Sequence, residues 1–156
     1  MKLLLVDDHE LFRAGLKFIL EDFEESVDFL EASSTEEAAA FQDQPIDLIL
    51  LDLGLHGRSG LDALDAIRKG FTDATIVVLS SDEDPVRVRM CIEQGASGYI
   101  PKSSSQDVMI QALRLVLAGG IYLPPLSIGH YPVRTRTDAG TPPAQGRPMP
   151  GRGWAT

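Results

Sequence analysis

The stretch Asp47-Leu48-Ile49-Leu50-Leu51-Asp52-Leu53 decides the fold: four apolar residues in a row, closed by an acid. Successive side chains of a strand point to opposite faces, so an unbroken apolar run asks for cover on both sides. That is the signature of an interior strand in a parallel sheet. Ile76-Val77-Val78-Leu79 repeats it. Working outward from these two runs, strands are predicted over 2–6, 27–31, 47–51, 75–79 and 98–100.

The segments between the strands carry helical spacing. Phe12, Leu16, Ile19, Leu20 and Phe23 recur as one face of a first helix. Ser34-Thr35-Glu36-Glu37 opens a second with a capping box, Ser34 as cap and Glu37 three residues on. A third spans about 61–69 and stops at Gly70, and Asp84-Pro85 starts a fourth with a capping side chain followed by proline at the first position. The fifth runs over about 105–118 and ends at Gly119-Gly120. Strict strand–helix alternation, five times over, predicts an α/β fold with a doubly wound parallel sheet, (βα)5.

Composition bounds what such a domain does. The chain has 156 residues, 44% of them hydrophobic, enough for one compact core and a tail. Residues 1–123 are read as that domain. Residues 124–156, rich in Pro, Gly, Thr and Arg, lack apolar periodicity and are expected to be a flexible tail. The net charge of −9 is uneven: four arginines and one aspartate give the tail +3 and leave −12 on the domain. Nucleic-acid phosphates need a cationic footprint, so direct binding by this domain is not expected. The single cysteine, Cys91, excludes an internal disulfide and reads as a small buried side chain. Asp7-Asp8 interrupts the apolar start, and no run is long enough for a secretory core or a membrane span, so the expected compartment is the cytoplasm.

In a doubly wound sheet, ligands sit beyond the carboxyl ends of the strands, at the switch in strand order. Asp7 and Asp8 fall after the first predicted strand, Asp52 after the third, Ser80 after the fourth, and Lys102 after the fifth. Three carboxylates at one edge repel one another and favour a hard cation such as Mg²⁺. An acidic cluster, a hydroxyl and a lysine together suit phosphoryl transfer: a carboxylate attacks in line while cations neutralise the equatorial oxygens.

Four blocks in order, Leu4-Leu5-Val6-Asp7-Asp8-His9, the Asp47–Leu53 stretch, Val78-Leu79-Ser80 and Gly95-Ala96-Ser97-Gly98-Tyr99-Ile100-Pro101-Lys102, closely resemble the response regulator receiver family of two-component systems. The resemblance covers about residues 1–123. It implies a flavodoxin-like fold with strand order 2-1-3-4-5. It also implies Asp52 as phosphoacceptor, with Mg²⁺ held by Asp7, Asp8, an Asp52 oxygen and the Gly54 backbone carbonyl. Lys102 would pair with phosphoryl oxygens, Ser80 would swing toward the phosphoryl group, and Tyr99 would change rotamer with it. A sensor histidine kinase would be the phosphodonor. The face around helix four, strand five and helix five would form a homodimer or meet an output partner, with 108, 109, 112, 113, 116 and 117 as the candidate self-association segment. Val88, the Gly95–Tyr99 block and Ala118-Gly119-Gly120-Ile121-Tyr122-Leu123 are similar to receivers of LuxR-type (NarL-like) transcriptional regulators. The expected role is thus signalling, probed by phosphorylation, not turnover of a substrate.

The chain departs from the family pattern in places. Leu55 is followed by His56 where a proline is usual, Gly54 puts no side chain beside the phosphoryl group, and Ser103 rather than proline follows Lys102. No helix-turn-helix output domain is recognised after Leu123, as expected of a fragment, a truncated regulator or a single-domain protein. Three other readings compete. A phosphatase of the haloacid-dehalogenase type wants a second carboxylate two residues after its aspartate, where Gly54 stands. A flavodoxin-like cofactor module wants a phosphate-cradling loop after the first strand, and none is rich enough in Gly, Ser or Thr. A pseudo-receiver kept for binding alone would have no need of the intact acidic set.

Overall fold

The computed structural model describes residues 1–24, 26–54 and 60–125. His56 and nearly all of the tail lie outside these residues. Five strands, β1 (Lys2–Val6), β2 (Asp28–Ala32), β3 (Leu48–Asp52), β4 (Thr75–Ser80) and β5 (Gly98–Pro101), form one parallel sheet in the order β2-β1-β3-β4-β5. Between and after them come α1 (Glu10–Leu20), α2 (Thr35–Ala38) with a 3-10 turn at Ala39–Phe41, α3 (Gly60–Gly70), α4 (Pro85–Glu93) and α5 (Gln106–Leu117).

The unbroken apolar runs divide residue by residue between two cores. Leu4, Val6, Ile49, Leu51, Ile76 and Val78 face one side, where α2, α3 and α4 contribute Ala38, Leu64, Ile67, Val88 and Cys91. Leu3, Leu5, Leu48, Leu50, Val77 and Leu79 face the other, covered by α1 and α5 through Leu16, Leu20, Met109, Leu113 and Val116. All five residues of β3 are buried, which is why its sequence shows no alternation.

Local chemistry sets the helix ends. The Ser34 hydroxyl accepts from the Glu37 N–H at 3.0 Å, while the Glu37 carboxylate reaches back to the Ser33 N–H at 2.9 Å. Asp84 caps the Val86 N–H and Ser105 the Val108 N–H. After α5, Gly119 takes φ +98°, the left-handed conformation that lets a helix stop.

The strands run slightly beyond their apolar residues. Asp52, Ser80 and Pro101 are the last residues of β3, β4 and β5, one position further than the apolar pattern indicates. The hydrogen-bond ladder carries them: the Leu53 N–H bonds to the Leu79 carbonyl at 3.1 Å, and the Lys102 N–H to the Ser80 carbonyl at 2.8 Å. β2 sits one residue later than predicted because Ala32 pairs with Val6. Of the candidate self-association segment, Met109, Ala112, Leu113 and Val116 are core, and only Val108 and Leu117 are exposed.

Candidate functional site

The switch in strand order falls between β1 and β3. From β1 the chain crosses to β2 on one side, then returns past β1 to β3 on the other. β1 and β3 pair with Val6 opposite Leu51, so the next residues along each chain, Asp7 and Asp52, emerge side by side. Both are buried, at 1% and 2% exposure. Asp52 pairs with Leu79, so β4 ends one residue further on in the buried Ser80, and β5 pairs Pro101 with Ser80, which brings Lys102 to the same edge.

The Lys102 Nζ lies 3.1 Å from Asp52 Oδ2 and 3.4 Å from Asp7 Oδ2. It also stands over the Phe12 ring at 4.5 Å, an apolar and quadrupolar support for the ammonium group. The Gly54 N–H donates to Asp52 Oδ1 at 3.0 Å, which fixes one carboxylate oxygen and leaves Oδ2 toward the cavity. Burial pushes the Asp52 carboxyl above the usual carboxylate range. The Asp7 charge adds to this, while the Gly54 N–H and Lys102 oppose it.

The buried oxygens Asp7 Oδ2 and Asp52 Oδ2 make no well-aligned hydrogen bond and share the one Lys102 ammonium as counter-ion. Such atoms ask for a cation. Asp7, Asp8, His9 and Asp52 each place one donor atom within 4.8 Å of the others, a separation suited to shared coordination. The preponderance of carboxylate oxygen fits Mg²⁺.

The structure therefore gathers Asp7, Asp8, Asp52, Ser80 and Lys102 at one edge. Tyr99 stands apart: its ring is fully buried within the core on the α2–α4 side, and its hydroxyl donates to the Asp82 carbonyl. Burial pushes its pKa up to about 12. Ser80 is tied to the same loop, its Oγ accepting from the Asp82 N–H at 3.0 Å.

Sequence reasoning missed three residues here. His9 turns its Nδ1 to Asp7 Oδ1 at 3.0 Å, with Asp8 and Asp52 oxygens at 3.3 and 3.5 Å. Its position directly after the acidic pair was the available signal. Asp82 and Arg87 pair across the start of α4, Nε to Oδ2 at 3.1 Å, and only the fold brings them near the site.

A cavity of about 460 Å³ opens over these groups, lined by Asp52, Gly54, Ser80, Arg87 and Lys102 among others. It is large enough for a phosphoryl group, and its mixture of acids, cations and a hydroxyl is one that phosphoryl chemistry uses.

Comparison with known proteins gives a consistent result. The family described as "Response regulator receiver domain" matches residues 3–114. A glycerol metabolism activator of Pseudomonas putida is 35% identical over 126 residues, covering 80% of this chain and 57% of that protein. The response regulator UvrY of Escherichia coli K12 is 34% identical over 125 residues, covering 79% and 57%. The chain thus spans little more than half the length of these curated relatives. Among solved structures, a LuxR family DNA-binding response regulator from Silicibacter pomeroyi superimposes with a TM-score of 0.71 at 34% identity, covering 81% of this chain and 98% of that one.

Proposed function

The chain belongs to the response regulator receiver family, of the type found in LuxR-type two-component regulators, and from that premise we propose that it accepts a phosphoryl group on Asp52 from a sensor histidine kinase in the cytoplasm. The observation that carries this reading is the Asp52 carboxylate itself. It is buried at the strand-order switch, with one oxygen held by the Gly54 N–H and the other facing Lys102 and the cavity.

Asp52 Oδ2 attacks phosphorus in line, forming the O–P bond as the donor's P–N bond breaks, and the histidine nitrogen leaves with the bond's electron pair. Lys102 pairs with an equatorial oxygen and holds it in register. Asp7, Asp8, Asp52 and the Gly54 carbonyl are the residues that would hold Mg²⁺. When bound, the ion supplies neutralisation of charge on the transferring group. Ser80 then turns its hydroxyl toward the phosphoryl oxygens, giving up the Asp82 N–H. Tyr99 follows, because its hydroxyl is bonded to the same residue.

The resulting change at α4, β5 and α5 would control an output, transcription being the one that the LuxR-type relatives suggest. A second copy of the chain is the partner proposed for that face. The domain acts as a switch that assists its own phosphorylation, not as a turnover enzyme, since Gly54 stands where a phosphatase acid would be.

Acetyl phosphate with Mg²⁺ tests the proposal. Intact mass should rise by one labile phosphoryl group in the wild type, and not in Asp52→Ala or after chelation. An adduct that persists in Asp52→Ala would remove Asp52 from its role.

A further inference from the structure

Asp82 joins the site to α4 through four bonds. Its N–H donates to Ser80 Oγ at 3.0 Å, and its carbonyl accepts from Tyr99. Its carboxylate takes the Asp84 N–H on Oδ1 at 2.9 Å and Arg87 Nε on Oδ2 at 3.1 Å. Both residues expected to move on phosphorylation are therefore attached to the residue that holds Arg87. Arg87 lines the same cavity as Asp52, Ser80 and Lys102. Room for it is left at the start of α3, where a Cβ on Gly60 would come within 3.1 Å of an Arg87 terminal nitrogen.

Charge gives the arginine something to do. Before transfer, a divalent ion held by Asp7, Asp8 and Asp52 would, with the Lys102 ammonium, match their three carboxylate charges. Phosphorylation replaces one carboxylate charge by nearly two, leaving the cavity about one cation short. Arg87 is a cation already at the cavity wall, and its planar fork suits phosphoryl oxygens. The pair that restrains it is weak, because Arg87 and Asp82 side chains are 39% and 51% exposed.

Resting on Asp52 as phosphoacceptor, we propose that Arg87 is a contact residue for the phosphoryl group, exchanging the Asp82 carboxylate for a phosphoryl oxygen once Ser80 has released the Asp82 N–H. α4 is thereby tied to the phosphorylated site through its own first turn, and Asp82 competes with the phosphoryl group for the same guanidinium.

The test is a double-mutant cycle on the full chain, with acetyl phosphate and Mg²⁺ held in excess and the phosphorylated fraction read at steady state by intact mass. Arg87→Ala should lower steady-state phosphorylation by about fivefold to tenfold, the loss of one charge-assisted contact at a half-exposed position. Asp82→Ala, which frees the arginine, should raise it or leave it unchanged. Arg87→Ala in the Asp82→Ala background should still lower it, whereas a residue acting only by holding Asp82 would have no effect there. Arg87→Lys should recover part of the loss. Beryllofluoride should shift the Arg87 Nε–H resonance in the wild type. A normal wild-type adduct with no loss in either Arg87→Ala background and an unmoved Nε–H signal overturns the role of Arg87 alone. No adduct in the wild type overturns the phosphoacceptor reading and this inference with it.

Discussion

At the scale of single residues, two buried acids outside the acidic cluster set an alkaline limit on stability. Burial pushes the Cys91 thiol up to about 11 and the Tyr99 hydroxyl up to about 12. Both folded values lie above the ordinary ones of 9.0 and 10.0, so the unfolded chain loses these protons first as pH rises. Their contribution is complete below about pH 9 and is lost through about pH 12, on the order of a few kcal/mol in all. Urea unfolding between pH 8 and 11.5 should show stability falling across that window. Tyr99→Phe should flatten the upper part of the slope, whatever it does to stability at neutrality. The same scale shows where a sequence falls silent. Asp7, Asp8, Asp52, Ser80 and Lys102 could be read because each follows an apolar strand, and strand ends meet. Asp82 sits in an acidic, polar stretch and Arg87 between two valines, with nothing in the pattern to mark either. Their pairing is a product of how α4 starts over the sheet edge.

At the scale of elements, five strands and five helices were legible because a two-sided parallel sheet forces apolar residues into runs. Strand ends were less so, since hydrogen bonds continue past the last apolar side chain, as at Asp52 and Ser80. α2 was readable at its start, through the Ser34 and Glu37 bonds, but not in its early change to a 3-10 turn. α1 carries a residue that its own fold does not require. Gly15 lies inside the helix, is exposed, and a Cβ there would meet nothing within 4 Å. Glycine in a helix interior is unfavourable relative to alanine, so Gly15→Ala should stabilise the domain by about 0.5–1 kcal/mol. A rise in urea midpoint with an unchanged m-value would show it.

At the scale of the whole molecule, the division of the strands between two cores has a consequence for motion. β1 and β3 are paired on both edges and covered on both faces, so their backbone has no route to water short of unfolding the sheet. In deuterium exchange, the amides of Leu4, Leu5, Ile49 and Leu50 should therefore be the last to exchange, at a rate set by global opening. The exposed Ser81 and Asp82, and Asp84 after them, should exchange sooner, through local opening. Comparable protection in the two groups would mean that the molecule opens as a single unit. The acids of the candidate site are thus fastened to the strands expected to open last, and the Ser81–Asp82 loop beside them belongs to a part expected to open cheaply.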